Sequence, residues 1–557
     1  MVIWQALLDG LSILSEKWTL VLSAVSVTCL GWSVSLFLSR DSFKEKAIFQ
    51  RSGLLVGFFF VLSVILRLAF LTEAFVPPYF DSVEHYRIIK ELATALETST
   101  LPKTVLALTP NYYHLGFHFL ASLLAFGLLA NPIDVILVLG QVILAAIPIP
   151  IYFLIRGETR SDAAAFFSML LSGFGWYMPG FAANWGKYPA LAGLLSLEIV
   201  LSSAYFIAIK KSDKNQPALI GFLLLGIIVS TLFHTRTLVV IAISIASWLI
   251  AGKMLTLPKE MSEKSKTLFQ RLSQYVSLGI LLSAILGFGI MVQKEPLLEF
   301  TLEPYIGDGL WVTLTIVAFC PFALIKFPRG FYFNVLFILC ILVALFIPVS
   351  TWSPGLENQT LLDRPFVEMM LYLPLSILGG LGLAGLLQVL KSISALPEKV
   401  HLYIRVLITT LLLGLTGLML IESYDFYPSD CCHFVGYDDT VAMDWLSKNI
   451  PPGAHILIAA SQLNVLPAGP SASLVGTDAG IWIPALTGRN ITLAAFDTDF
   501  RSASTLEQLC QLQVNYVYVG GTDQKFNAAQ LQAKVEWYDR ILFLPNTQLY
   551  KLTGCSR

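Results

Sequence analysis

The stretch GLLVGFFFVLSVILRLAFLTEAFVPPYFDSVEHYR, residues 53–87, joins a long apolar run to a short segment with several ionisable side chains. An apolar run of about 20 residues is long enough to cross a bilayer as a helix. Asp81, Glu84 and His85 follow the run closely, and ionisable groups beside a membrane are costly unless they are functional or well solvated. The stretch therefore predicts a membrane span followed by a loop with a chemical role.

The whole chain has the composition of a membrane protein. Of its 557 residues, 56% are hydrophobic and only 13% are charged, and the mean hydropathy is +0.71, whereas about a quarter of the residues in a soluble domain are charged. The 36 Lys and Arg residues nearly balance the 37 Asp and Glu residues, so no basic surface indicates nucleic acid as a partner. We predict a polytopic α-helical protein whose surroundings are the membrane.

Other apolar runs repeat this pattern and predict a bundle of about 12 to 13 spans. After about residue 424, polar residues return with turn signals such as PPG and GG. We therefore predict a transmembrane domain over 1–423 and a soluble domain over 424–557. The predicted spans lie at roughly 18–38, 53–73, 133–155, 162–178, 188–209, 217–234, 237–251, 276–292, 310–326, 331–349, 366–389 and 405–422, with 112–130 as a further candidate.

The segment 112–130 contains His114 and His118 one helical turn apart. Such a pair suits a helix that dips back or packs beside the bundle better than one that faces lipid. We therefore predict that 112–130 is re-entrant. The alternative that it spans the bilayer remains open, and it would move either the loop at 156–160 or the loop that contains Asp81 to the other side.

The orientation follows from lysine and arginine, which favour the cytoplasmic side in short loops. Alternation then places on the outer side the first outer loop at 74–111, the loops at 179–189, 234–236, 293–309 and 350–364, and the C-terminal domain. We predict a plasma-membrane protein with an extracytoplasmic C-terminal domain. The loops predicted to be cytoplasmic are 39–51, 156–160, 210–215, 253–271, 326–330 and 391–405.

Within the first outer loop, apolar residues recur at helical spacing from Ser82 to about Glu97, which predicts an amphipathic helix at the membrane surface. Asp81 precedes this helix at a natural N-cap position. Two roles of Asp81 therefore remain open, a simple helix cap and a chemical role. Capping does not account for Glu84 and His85.

This order of features resembles the GT-C superfamily, which comprises integral-membrane glycosyltransferases that use polyprenyl-phosphate-linked sugars. The features are a span, an outer loop that opens with an acid and a juxtamembrane helix, then YYHLGFHFL at 112–120 and NWGKYPALAG at 184–193. Oligosaccharyltransferase catalytic subunits, protein O-mannosyltransferases and aminoarabinose transferases belong to that superfamily. The resemblance implies an inverting glycosyltransferase of the cell envelope whose acceptor is a lipid, a glycan or a protein.

The resemblance also implies roles for individual residues. The acid that opens the first outer loop is essential in the superfamily, and by position it corresponds to Asp81, the expected base. His85 lies one helical turn from Asp81, so it is expected to share or orient the proton of Asp81. Glu84 is expected to support Asp81 as a second acid in the same turn. A surface histidine without a role is the alternative for His85.

A polyprenyl-phosphate donor leaves a phosphate whose developing negative charge needs cations. Lys187 follows Asn184 in the loop at 179–189, and snorkelling to the headgroups is its alternative role. For Arg236 and Arg364, snorkelling is again an alternative role. A local pair with Asp363 is a further alternative for Arg364. The candidate ligands of the donor phosphate are Lys187, His234, Arg236 and Arg364.

Candidates for acceptor or metal binding are few. Glu303 lies in the loop at 293–309, where oligosaccharyltransferases present a glutamate, but their motif is absent here. Asn184 lies in the loop at 179–189, which contains no acid. Mg²⁺ and Mn²⁺ prefer several oxygen ligands, so the sequence offers a divalent cation no clear acidic motif.

The residues after 424 alternate between helical and strand patterns. TVAMDWLSKNI at 440–450 and TLEQLCQLQ at 505–513 predict helices, while AHILIAA at 454–460, VNYVYVGG at 514–521 and QLYKL at 548–552 predict strands. The alternation predicts a small α/β domain. It has no nucleotide-binding or nucleophile-elbow motif, so we expect it to bind acceptor or to cap the bundle. A disulfide is permitted among its four cysteines, Cys431, Cys432, Cys510 and Cys555.

Three other classes remain open. An O-antigen-type ligase or polymerase is also a bundle with an outer catalytic face, but it would depend on His and Arg in a large late loop. A secondary transporter usually shows internal repeats and charges near the midplane, and neither is evident. A non-catalytic membrane assembly factor is the last alternative.

Overall fold

The computed structural model describes residues 2–39, 46–109, 114–209, 216–254, 289–349, 359–392, 424–465 and 469–556, together with residue 279 and single positions between 399 and 417. The predicted spans at 276–292 and 405–422 lie largely outside the described residues. The first part of the chain is almost entirely helical, and the last part contains a mixed β-sheet. The predicted fold class, a helical membrane protein with a C-terminal α/β region, is therefore confirmed.

The helices before residue 400 form one packed bundle. Residues 135–153 are all buried, so α7 and the start of α8 form its centre. The helices are α1 (Val2–Glu16), α2 (Trp18–Ser39), α3 (Lys46–Leu68), α4 (Asp81–Glu97), α5 (Leu101–Leu108), α6 (Gly116–Leu128), α7 (Pro132–Ala146), α8 (Pro148–Thr159), α9 (Asp162–Phe174), α10 (Tyr188–Ile209), α11 (Gln216–Phe233), α12 (Arg236–Met254), α13 (Pro296–Ile306), α14 (Leu310–Lys326), α15 (Pro328–Ala344), α16 (Arg364–Met370) and α17 (Tyr372–Lys391).

Six helices among the described residues are long and apolar enough to cross a membrane, or up to eight if two bent helix pairs each count as one span. All six coincide with predicted spans. Two other predicted spans, at 162–178 and 331–349, are the shorter helices α9 and α15, and α6 is a short apolar helix inside 112–130. The described spans are Gly53–Thr72, Pro132–Thr159, Tyr188–Ala208, Gln216–Phe233, Arg236–Met254 and Arg364–Lys391.

The two bent pairs differ from the predicted pattern. α1 and α2 meet at 97° around Lys17, whose ammonium group lies 3.1 Å from Asp134. α13 and α14 meet at 85°, so the segment predicted as an outer loop at 293–309 contains a helix. The acids and prolines of α13 interrupt its apolar pattern in the sequence. In the structure the apolar face of this helix includes the buried residues Leu298 and Leu302.

The C-terminal region folds around a six-stranded sheet in the order β2-β1-β4-β6-β5, with β3 also paired to β1. β1 runs parallel to β3 and β4 and antiparallel to β2. The three predicted strands and two predicted helices are confirmed, and Cys510 and Cys555 form a disulfide, as do Cys431 and Cys432. The elements are β1 (His455–Val465), β2 (Gly469–Gly476), β3 (Asn490–Ala495), β4 (Tyr516–Val519), β5 (Tyr538–Phe543) and β6 (Gln548–Leu552), with α18 (Tyr437–Asn449), α19 (Ile483–Thr487), α20 (Ala503–Gln511) and α21 (Ala528–Gln532).

An arginine at the end of α3 attaches the C-terminal region to the bundle. Arg67 is 3% exposed and donates to the Gly173 carbonyl at 2.7 Å and to the Tyr424 hydroxyl. Its guanidinium also lies 5.2 Å from the ring centres of Phe174 and Tyr424. Because a buried arginine needs such partners, the start of the C-terminal region has a fixed position on the bundle.

Candidate active site

Asp81 is the first residue of α4, and its carboxylate pairs with the Lys187 ammonium group at 2.5 Å. The prediction that Asp81 is the N-cap was wrong, because Phe80 occupies that position. The turn before α4 sets this register: Tyr79 has a left-handed φ of 68°, and the Ser82 hydroxyl donates to the Pro78 carbonyl. An acid in the first turn still suits the positive end of the helix dipole.

A glycine turn places Lys187 opposite Asp81. Gly186 has a φ of 64°, and a Cβ there would overlap the Ser82 hydroxyl and approach the Pro78 carbonyl. Only glycine fits this turn without strain. Burial acts to lower the pKa of Lys187, but the neighbouring Asp81 carboxylate outweighs it and the pKa is raised. Lys187 is therefore a permanent cation at neutral pH.

Two arginines lie close to the pair of Asp81 and Lys187. The Arg236 guanidinium lies 3.1 Å from the Asp363 carboxylate, and the charge of Asp363 also acts on Lys187. Arg364 lies 3.8 Å from Glu368, and its guanidinium faces the Trp185 ring at 5.7 Å. Three cations from separate parts of the chain thus converge with the carboxylates of Asp81 and Asp363.

Four buried histidines lie beside these charged side chains. His85 Nδ1 lies 2.9 Å from His118 Nε2, and the ring centres of His114 and His234 are 4.9 Å apart. Burial lowers the pKa of His85 and of His114 to about 4. Both rings are therefore neutral at pH 7. His85 also forms a hydrogen bond with the backbone of Gly186, so it supports the turn that carries Lys187.

We call this group of side chains the Asp81 cluster. It includes most of the candidates that the sequence singled out, and it adds Asp363, His114 and His118. The members of the Asp81 cluster are Asp81, His85, His114, His118, Lys187, His234, Arg236, Asp363 and Arg364.

Three sequence candidates lie outside the Asp81 cluster. Glu84 faces solvent and accepts hydrogen bonds from Arg87, because it lies on the exposed side of α4. The Asn184 side chain accepts from the backbone of Ser429 at 2.8 Å, so it supports the C-terminal region. Glu303 accepts from the Tyr177 hydroxyl.

A divalent cation needs several oxygen or nitrogen ligands arranged around one point. Among the residues that the structure describes, no group of three or more His, Cys, Asp or Glu side chains is arranged to hold a metal ion. Asp81 and Asp363 each lie beside a cation, which competes with metal binding at both carboxylates. The Asp81 cluster therefore does not fit the divalent cation that the resemblance allowed.

The comparisons with known proteins assign the chain to a family. A family model described as "Family of unknown function (DUF6541)" matches residues 1–534. The chain belongs to this family. None of the curated proteins matches the chain. The Asp81 cluster and most of the C-terminal region lie within the matched residues, so both are features of a family member rather than of an added domain.

Among solved structures, this family member is similar to the crystal structure of the Archaeoglobus fulgidus oligosaccharyltransferase in complex with zinc and sulfate. The TM-score is 0.44 and the sequence identity is 12%, over 85% of this chain and 69% of that chain. A similarity this distant carries no conclusion about function, which has to be argued from the side chains.

Proposed function

We propose that the protein is a membrane glycosyltransferase that moves a sugar from a polyprenyl-phosphate-linked donor to an acceptor on the extracytoplasmic face. The observation that carries this proposal is the 2.5 Å pair between Asp81 and Lys187, with Arg236 and Arg364 close by. A phosphate leaving group needs cations, and the acceptor hydroxyl needs a base. The Asp81 cluster contains both kinds of group.

The proposed step begins when the donor phosphate binds to Lys187, which then releases the Asp81 carboxylate. The acceptor oxygen attacks the anomeric carbon and forms the new C–O bond while its proton passes to Asp81. The bond between the anomeric carbon and the phosphate oxygen breaks, and its electron pair stays on the phosphate. Lys187, Arg236 and Arg364 stabilise the added negative charge.

The opposite end of the bundle supports the proposed side of the membrane. Glu158 near the end of α8 and Arg329 near the start of α15 belong to the segments 156–160 and 326–330 that the charge rule places in the cytoplasm, and they line one cavity together with Trp248 of α12. Arg236 begins the same helix, 12 residues and about 18 Å away. This arrangement supports an extracytoplasmic position for the Asp81 cluster and for the C-terminal region.

The test is sugar transfer, or slow donor hydrolysis, by the purified protein in nanodiscs with a panel of labelled polyprenyl-phosphate sugars. Asp81→Asn should lower the rate about 10³-fold, because loss of a general base costs 10²- to 10⁴-fold. Glu84→Gln is the matched control on the exposed side of the same helix and should change the rate less than twofold. The thermal unfolding midpoint checks that both variants fold.

Equal rates for the wild type and Asp81→Asn would remove Asp81 from the mechanism. Failure of the folded wild type to consume any donor in the panel would count against the glycosyltransferase class itself. The ligase and transporter alternatives would then be tested next.

A further inference from the structure

A second site lies between the turn before α4 and the C-terminal region. It is a cavity of about 790 Å³ bounded by Tyr79 and Phe80 on one side, by residues of the segment 430–439, by residues 461–462 of β1 and 475–476 of β2, and by the segment 521–524. We call it the C-terminal cavity. The step proposed above does not use it.

The charged groups that line the C-terminal cavity are carboxylates. Asp430, Asp438, Asp439 and Asp523 line it together with the imidazole of His433, and no lysine or arginine does so among the described residues. Asp439 accepts hydrogen bonds from Tyr518, from Thr547 and from the backbone of Gly436, and one oxygen of Asp438 accepts from the backbone N–H of Asn546 at 2.8 Å. All four carboxylates would repel an anionic ligand such as a phosphate.

The uncharged polar groups of the cavity favour a sugar over a basic peptide. Gln462, Gln524 and Asn546 line the cavity with amides and Ser461 with a hydroxyl, while the Thr522 hydroxyl donates to the Thr477 carbonyl and can still accept. The side chain of a lysine or arginine in a basic peptide can only donate hydrogen bonds. It would use the oxygen acceptors of the cavity and leave the amide and hydroxyl donors of the cavity without partners. A sugar hydroxyl both donates and accepts, and it satisfies carboxylates, amides and hydroxyls together.

Aromatic rings line the side that faces the bundle. The Tyr79 ring centre lies 4.2 Å from that of Phe80 and 5.9 Å from that of Phe434. Tyr437 is 68% exposed at the edge of the cavity. Exposed rings offer an apolar face on which the C–H groups of a sugar ring can pack, while the sugar hydroxyls reach the polar groups opposite.

The C-terminal cavity adjoins the Asp81 cluster. Tyr79 and Phe80 line the cavity and directly precede Asp81 in the chain. The backbone N–H of Tyr79 donates to the Cys432 carbonyl at 3.0 Å, and its left-handed φ of 68° is costly for a non-glycine residue. A ligand in the cavity would therefore lie against the two residues that precede the proposed base, whose charge also acts on the Tyr79 hydroxyl.

From these contacts we propose that the C-terminal cavity binds a neutral glycan, which is the acceptor of the transfer reaction. Its hydroxyls bond to Asp438, Asp523 and the neighbouring amides, and its ring packs on Tyr437. The acceptor role rests on the function proposed above, whereas glycan binding by the cavity does not. Binding and transfer are therefore measured separately.

The experiment measures binding of the full-length protein in nanodiscs to an array of neutral oligosaccharides, without donor. Sulfated oligosaccharides and an oligolysine peptide serve as comparison ligands. At least one neutral oligosaccharide should bind, and Asp438→Asn, Asp523→Asn and Tyr437→Ser should each raise its Kd about tenfold. Asp444→Asn, an exposed change on the same helix as Asp438, is the matched control and should leave Kd unchanged.

Asp81→Asn separates the two proposals, because it should keep glycan binding while losing transfer. Binding of oligolysine alone would overturn the glycan proposal in favour of a basic peptide. Absence of neutral-glycan binding, or equal Kd values for the wild type and all three cavity variants, would also overturn it. Donor hydrolysis that depends on Asp81 would stand in either case.

Discussion

The Asp81 cluster and the C-terminal cavity both contain carboxylates, but only the Asp81 cluster contains cations. In the cluster, Asp81 and Asp363 lie beside Lys187 and Arg236. In the cavity, Asp430, Asp438 and Asp523 have no cation among the described lining residues. A paired carboxylate can exchange its cation with an incoming anion, whereas an unpaired carboxylate accepts hydrogen bonds from a neutral ligand.

The comparison is tested most strongly at Lys187. Lys187→Met should lower transfer about 10³-fold, because it removes the cation nearest to Asp81 and leaves that carboxylate without its partner. Lys103→Met, an exposed change on α5, is the control and should have little effect. The measurement is the transfer rate of purified variants with matched thermal unfolding midpoints.

The double variant Asp81→Asn/Lys187→Met sharpens this result. Because it removes both charges, it should recover any thermal stability that Lys187→Met loses while remaining inactive. A rate close to that of the wild type for Lys187→Met would show that the pair is structural.

A second prediction concerns the buried carboxyl of Asp478 in the C-terminal region. Burial raises the pKa of Asp478 from its ordinary 3.8 to about 7, so the folded protein holds this proton more tightly than the unfolded chain does. The stabilisation is complete below about pH 4 and is lost as the pH rises to about 7. A pKa difference of about three corresponds to about 4 kcal/mol.

Urea unfolding at pH 5 and pH 8 checks this prediction. The wild type should lose stability between the two values, and Asp478→Asn should lose less, because asparagine does not ionise. Asp499→Asn is the control at an exposed position beside Arg501 and should follow the wild type. The same loss in Asp478→Asn as in the wild type would contradict the assignment.

The smallest effect is expected at Gly186. Gly186→Ala should lower transfer about tenfold, because a left-handed φ costs about 1–2 kcal/mol for a residue with a Cβ and the added atom displaces the turn that carries Lys187. Gly221→Ala, where a Cβ would meet nothing within 4 Å, is the control. Full activity of Gly186→Ala would show that the position of Lys187 tolerates a shift.

Much of the fold was predictable because its signals are local. Apolar length identified all six described spans, and alternation identified β1, β4 and β6. The signal failed where polar residues interrupt a helix, as in α13 and at the bend near Lys17. β2, β3 and β5 were not predicted, because their sequences are short or rich in polar and small residues.

The candidate site was predictable only in part. Lys187 and Arg236 were found as charges at helix ends, but their partners depend on contacts between distant parts of the chain. The sequence left a local pair of Asp363 with Arg364 open as an alternative, whereas the structure pairs Asp363 with Arg236. Spacing signalled the turn shared by His114 and His118, but not their contacts with His234 and His85.

The attachment at Arg67 has a consequence for product structure. Because Arg67 holds Tyr424 against the bundle, the C-terminal cavity and Asp81 keep a set separation. An acceptor glycan bound in the cavity would present to Asp81 only the hydroxyl that lies at that separation from the bound sugar. The linkage position of the new glycosidic bond would then be decided by how the two parts of the chain are joined.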